Sequence, residues 1–248
     1  MTVFRSAAAI TAAAGAALIT AAGAALVALA GAPTAAAQSS VLVYPGMEIR
    51  QTATVCTLGF VDMTARIGYS AGHCRGEGPV TDRNGRVIGV VTNSRDNTPD
   101  GAVVRTDQVI ADYQTIKLNN SVTLSDFLPG GRQLVVDPAA TLTPGQPVCH
   151  FGIMTGESCG AVERINNGWF TMANGVVSQK GDSGGPVYTV GPDGRAAIVG
   201  LFNSTWGNLP AAVGWAATGQ HLQEDMLAAG PATGVTEVVN VAATGTDG

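Results

Sequence analysis

Residues Gln179–Tyr188 read "QKGDSGGPVY". Three glycines, a proline and an acid crowd around one serine, Ser183. Glycine carries the largest backbone-entropy cost of any residue, so the cluster needs a reason. A tight surface turn is one. The other is a serine whose hydroxyl and neighbouring backbone N–H groups are presented to a substrate. Such a serine needs a base to take its proton and a buried carboxylate to orient that base, and these partners are distant in the chain.

A candidate base is His73, in "GYSAGHCRG", directly before Cys74. The other two histidines, His150 and His221, read as ordinary core or surface residues rather than ligands. Three histidines leave little room for a histidine-rich metal site, and neither metal nor cofactor is expected. The chain has 248 residues, 46% hydrophobic and 12% charged, about half the usual charged fraction. With a net charge of −5 and no Lys/Arg cluster, nothing points to nucleic acid as a partner.

The first 37 residues are alanine-rich, with Arg5 as the sole basic side chain and the small residues "PTAAA" at the end. They read as an export signal removed near Ala37, which leaves a secreted or envelope-associated chain beginning near Gln38. An uncleaved N-terminal anchor is the alternative. Without the leader no membrane contact is expected. Cysteine usage agrees with export. Four cysteines allow three pairings, of which the two local ones, Cys56–Cys74 and Cys149–Cys159, are favoured. A zinc site of four thiolates is the alternative, but it lacks the short Cys-x-x-Cys spacing.

From about residue 38 to 215 the chain reads as short strands punctuated by turns. Asn84-Gly85, Asn166-Asn167-Gly168 and Pro192-Asp193-Gly194 are hairpin signals. The expected fold is all-β, with two packed antiparallel barrels at about 45–128 and 146–215 inside a domain spanning 38–230. One helix is expected at Thr218–Ala229, with Leu222, Met226 and Leu227 facing the body and Gly230-Pro231 as the stop. Residues 231–248 read as a disordered tail in which "VTEVVNVA" offers an edge strand.

"SAGHC" (Ser70–Cys74) and "GDSGGP" (Gly181–Pro186) together resemble the paired signatures of the chymotrypsin-like serine proteases. Within them the likeness is to the small actinobacterial branch that includes the streptogrisins and alpha-lytic protease. "DRNGRVIGVVTN" resembles that branch's hairpin after the histidine, and "VCHFGIMTGESCGAV" (Val148–Val162) its second disulfide loop. The likeness runs over roughly residues 50–205. It implies a double-barrel fold and an exported serine endopeptidase acting on peptides or proteins.

The resemblance also implies roles. His73 would be the base and Ser183 the nucleophile. Asp100, in "DGAVVR" and 27 residues after His73, would be the acid, with Asp112 in "ADYQTIKL" as the alternative. The N–H groups of Gly181 and Ser183 would form the oxyanion hole. Val177 would lie at the base of the substrate pocket with Ser178 beside it, Lys180 near its mouth and Asn203 along the substrate backbone. An uncharged Val177 implies a small or medium apolar residue before the cut. Phe202 to Gly207 match the family poorly and permit a closed pocket. A non-catalytic peptide-binding barrel is the second reading. An esterase is a third, since "GDSGG" also satisfies Gly-x-Ser-x-Gly, but that class places its histidine after the serine, where only His221 stands.

Overall fold

The computed structural model describes residues 40–99 and 103–230. The leader, the cleavage site near Gln38, Asp100 and the tail with its "VTEVVNVA" segment lie outside the described residues. Among the described residues no helix is long and apolar enough to cross a membrane.

The first half contains β1 (Leu42–Val43), β2 (Glu48–Gln51), β3 (Thr54–Thr57), β4 (Phe60–Asp62), β5 (Ile67–Ser70), β6 (Val80–Asp82), β7 (Val87–Asp96), β8 (Asp112–Leu118) and β9 (Thr123–Leu124). Seven of these form one sheet in the order β3-β2-β6-β7-β8-β5-β4, while β1 and β9 pair in parallel apart from it. The sheet's two edge strands, β3 and β4, are separated in sequence by Leu58 and Gly59 alone, so the sheet curls round toward itself. Alternation drives the folding: β5 reads half-buried, buried, half-buried, buried, as a strand with one face on a core must. Val43, Ile49, Leu58, Ile88, Ile116 and Leu118 fill that core. Each such side chain contributes about 1.5–3 kcal/mol by leaving water.

The second half contains β10 (Leu134–Val135), β11 (Pro147–Gly152), β12 (Gly156–Ile165), β13 (Trp169–Ala173), β14 (Pro186–Val190), β15 (Ala196–Trp206) and β16 (Leu209–Gly214). The order β15-β14-β11-β12-β13-β16 closes on itself through a further β15–β16 pairing, giving a six-stranded barrel with β10 attached to β15. Closure removes every edge from those six strands. The three hairpin turns expected from Asn84-Gly85, Asn166-Asn167-Gly168 and Pro192-Asp193-Gly194 join β6 to β7, β12 to β13 and β14 to β15. Phe60 and Tyr113 from the first half pack with Leu134, Tyr188, Ile198 and Leu201 from the second, so the halves share one apolar seam.

Helix α1 (Trp215–Ala228) ends the described chain. The expectation that Met226 and Leu227 would face the body is corrected: they are 59% and 75% exposed. Leu222 packs against the seam as expected, and beside it the helix buries Thr218 and His221. Its seat there is polar. Arg95 on β7 reaches His221 Nδ1 at 3.1 Å, Glu224 at 3.3 Å and Asp225, and the Tyr113 hydroxyl also bonds Asp225. His221, read as a surface residue, is thus part of a docking cluster. Trp215 sets the helix start, with ring centroids 5.1 Å from both Phe60 and Tyr69.

Candidate active site

His73 sits in a single 3₁₀ turn, Gly72–Cys74. The Cys56–Cys74 disulfide ties that turn to β3, and Cys149–Cys159 links β11 to β12. Gly72 lets the turn lie against neighbouring strands, for a Cβ there would fall 2.1 Å from the Arg95 carbonyl oxygen and 2.8 Å from that of Tyr113. The turn is thereby pressed onto the ends of β7 and β8, where Asp112 stands. The His73 backbone N–H donates to Asp112 Oδ1 at 2.8 Å, and Nδ1 lies 2.8 Å from Oδ2. Asp112 is 1% exposed, whereas the His73 side chain keeps 32% of its surface in solvent. Burial alone would lower the His73 pKa. The Asp112 hydrogen bond and charge, with a contribution from Asp96, outweigh it and hold the imidazole above its ordinary value.

The carboxylate against His73 is therefore that of Asp112, and the expectation of Asp100 is corrected. The physical reason is a closed neck. Asn97 N–H donates to the Ala111 carbonyl at 3.0 Å, and Ala111 N–H donates to Asn97 Oδ1 at 2.8 Å. The described residues between them, 98–99 and 103–110, lie outside the sheet, and Asp100 lies outside the described residues. Asp96 and Asp112 face each other at the last rung of the β7–β8 ladder, so the first residue of β8 is the one delivered to the His73 turn.

The Ser183 turn abuts the His73 turn, with the Ser183 carbonyl oxygen 3.8 Å from Cys74 Sγ. Gly181 has φ +110° and Gly184 φ +81°, backbone that side chains seldom adopt. A Cβ on Gly184 would lie 2.0 Å from Ser70 Oγ and 2.7 Å from Ala71 N, so the serine turn is wedged directly onto the strand that leads to His73. Thr57 fastens it further. Its N–H donates to the Ser183 carbonyl at 2.9 Å, and its hydroxyl donates to the Gly181 carbonyl at 2.9 Å. Among the described residues the N–H groups of Gly181 and Ser183 have no acceptor. Two such anchored donors suit an oxygen on which negative charge develops.

Asp182 is fully buried, and its partners were invisible in sequence because most are main chain. It accepts from Met154 N–H at 2.8 Å, Thr155 N–H at 3.3 Å, Thr155 Oγ1 at 2.9 Å and Gln179 N–H at 2.7 Å. Gly152 leaves the room, for its Cβ would lie 2.1 Å from Asp182 Oδ1. Behind the turn stands His150, also fully buried. Its ring lies 4.5 Å from that of Phe202, with Nδ1 3.3 Å from the Pro186 carbonyl oxygen. Burial lowers its pKa to about 4, against a weaker opposing pull from Asp182 and from the hydrogen bond to Pro186.

The structure divides the four expected pocket residues. Asn203 is buried and turns its side chain inward: Nδ2 donates to Asp112 Oδ2 at 2.5 Å and to Thr98 Oγ1 at 3.1 Å, while its carbonyl accepts from Ser183 Oγ at 3.3 Å. Ser178 bonds Thr205, and Val177 and Lys180 are exposed. Thr57 and the inward role of the Asn203 side chain escaped the sequence reading. Neither carries a motif of its own.

No protein-family model matches the chain. The uncharacterised proteins Rv1815 and MT1863 of Mycobacterium tuberculosis are each 56% identical to it over 194 residues, covering 78% of this chain and 88% of theirs. Among solved structures it is similar to Thermobifida fusca protease A, with a TM-score of 0.53 and 17% identity over 74% of this chain and 97% of that one. It is also similar to a glutamic acid specific serine protease that uses a novel histidine triad in substrate binding (TM-score 0.51, 18% identity, 76% and 98% covered). The chymotrypsin of Cellulomonas bogoriensis gives 0.50 and 19%, with 75% and 96% covered. At these identities the shared property is the chymotrypsin-like fold.

Proposed function

The chain belongs to the family of Rv1815 and MT1863 of Mycobacterium tuberculosis and has the chymotrypsin-like fold, and we accordingly propose that it is an exported serine endopeptidase. The observation that carries this reading is the grip of Asp112 on His73 through both carboxylate oxygens, beside the glycine-shaped turn of Ser183. A structural aspartate has no need to fix both the backbone and the ring of one half-exposed histidine. An orienting carboxylate does, because it must select the tautomer that leaves Nε2 free to accept a proton.

In the proposed reaction His73 Nε2 takes the Ser183 proton as Oγ attacks the peptide carbonyl carbon. The carbonyl oxygen becomes negative and accepts from the Gly181 and Ser183 N–H groups. His73 then gives its proton to the leaving amine, and the C–N bond breaks to leave an ester on Ser183. Water, deprotonated by His73, attacks the ester, and the proton returns to Ser183 as the acid departs. Asp112 holds the ring in place throughout. Two disulfides and the leader composition support an extracellular or envelope location.

A peptide-binding barrel without hydrolysis is the second reading, favoured by the Ser183 hydroxyl bonding the Asn203 carbonyl at 3.3 Å. Treatment of the folded, oxidised protein with a fluorophosphonate at pH 8 separates the two. Endopeptidase function expects stoichiometric labelling of Ser183, cleavage of a mixed peptide library, and loss of both in Ser183→Ala. Intact protein that takes no label overturns the hydrolase. Label without cleavage retains a reactive serine and overturns the endopeptidase.

A further inference from the structure

Two segments converge on Ser183: the approach from Val177 to Asp182, and the end of β15 beyond Asn203, whose carbonyl accepts the Ser183 hydroxyl. A substrate side chain next to the reacting carbonyl has to lie between them. Here they are joined. Ser178 Oγ and Thr205 Oγ1 are hydrogen-bonded at 3.2 Å. The wall that carries Thr205 is itself fixed, for Ser204 pairs with Ala211, Thr205 with Pro210 and Trp206 with Leu209 across the β15–β16 hairpin. Val177, the expected pocket base, is 52% exposed, with its N–H and carbonyl both held by Ser158 Oγ at 3.1 and 3.3 Å. A valine that exposed belongs to an outer surface and is no floor of a deep pocket.

Distance decides what fits. Walls that admit an aromatic ring or a branched aliphatic must stand roughly 7 Å apart, twice an ordinary ~3.5 Å contact. Two hydroxyls at 3.2 Å admit neither.

We propose that the Ser178–Thr205 bridge sets the substrate class of this site, restricting the residue before the scissile bond to glycine, alanine or serine. This rests on the serine hydrolase reading above and narrows it. The earlier expectation of small or medium apolar residues loses its medium members, valine and leucine. Thr205 becomes the specificity-determining residue, with Ser178 as its partner.

The test uses peptidyl diphenyl phosphonates carrying an alanine, valine or phenylalanine side chain next to phosphorus, plus an ethyl fluorophosphonate that has none. Labelling rates at Ser183 are read by intact mass for the wild type, Thr205→Gly and Ser178→Ala, each checked for folding by thermal melting. The wild type should react with the alanine reagent about 100-fold faster than with the phenylalanine reagent. Thr205→Gly should narrow that ratio at least about ten-fold, and Ser178→Ala, which removes one surface oxygen, should narrow it less. A wild-type ratio near one, or a ratio unchanged in both folded variants, overturns the bridge while Ser183 still takes the fluorophosphonate. A Ser183 inert to the fluorophosphonate overturns the hydrolase and this inference together.

Discussion

Asn203 donates to Asp112 Oδ2 at 2.5 Å, the same oxygen that lies 2.8 Å from His73 Nδ1. An amide stands between the two halves of the molecule and shares its carboxylate with the candidate base. Asn203→Ala should cost about 2 kcal/mol of stability, the worth of a hydrogen bond to a buried charge, measured by urea unfolding. Asn203→Asp should behave differently. A second carboxylate against Asp112 adds negative charge near His73 wherever the pair is fully ionised. The acid limb of the Ser183 labelling profile should then move to higher pH than in the wild type.

Asp112→Asn should leave the fold intact and lower kcat by roughly 10⁴, because an amide there favours the wrong imidazole tautomer. Asp100→Asn should leave kcat within about two-fold, because Asp112 already holds both the backbone and the ring of His73. The pH dependence has a definite sign. The His73 pKa is raised in the folded protein, so the wild-type acid limb should lie above pH 6.5 and shift downward in Asp112→Asn. The same shift supplies stability that is fully present below the unfolded value and lost as pH rises through the folded one. Steady-state rates and unfolding midpoints from pH 5 to 9 check both halves.

The two glycines of the serine turn should fail in different ways. Alanine at Gly181 meets Met154 Cγ at 2.9 Å and would have to hold a φ of +110°, so the turn should relax with its N–H misdirected. A 10²- to 10³-fold loss of kcat with a smaller loss of stability than at Gly184 is expected. Alanine at Gly184 meets Ser70 Oγ and backbone N–H at 2.7 Å or less. That variant should lose roughly 3 kcal/mol or more and express poorly.

His150 supplies a second pH dependence, of opposite sign. Its folded pKa of about 4 lies below the ordinary 6.5, so the unfolded chain takes up a proton that the folded protein refuses. Stability should fall as pH drops from about 6.5 to about 4, by roughly 3 kcal/mol in total. His150→Leu should flatten that slope between pH 7 and 4.5 in urea titrations. An unchanged slope would place the acid sensitivity elsewhere.

The barrel architecture was legible because it is written in local chemistry: alternation along β5 and β11, and turn residues at three hairpins. The two disulfides, and the adjacency of the His73 and Ser183 turns, were legible because each sits in a compact motif. The acid was misread because its position depends on where the chain re-enters the sheet. That is set by the Asn97–Ala111 neck, which no spacing rule contains. Asp182 had no readable partner since backbone N–H groups look alike at every residue. Met226 and Leu227 were misassigned, though Leu222 was not, because hydrophobic periodicity finds apolar seats and α1 also docks through Arg95, Tyr113, His221 and Asp225.

The Thr57 hydrogen bonds to Gly181 and Ser183 cross between the two halves, as does the bond from Asn203 to Asp112. His73 and Asp112 come from the half that is synthesised first, Ser183 and Asn203 from the half that follows. A growing polypeptide therefore holds the candidate base before the candidate nucleophile, and β16 must pair before the second barrel can close. Assembly order thus works as a safeguard for the proposed reaction: Ser183 acquires its partners only once both barrels have formed.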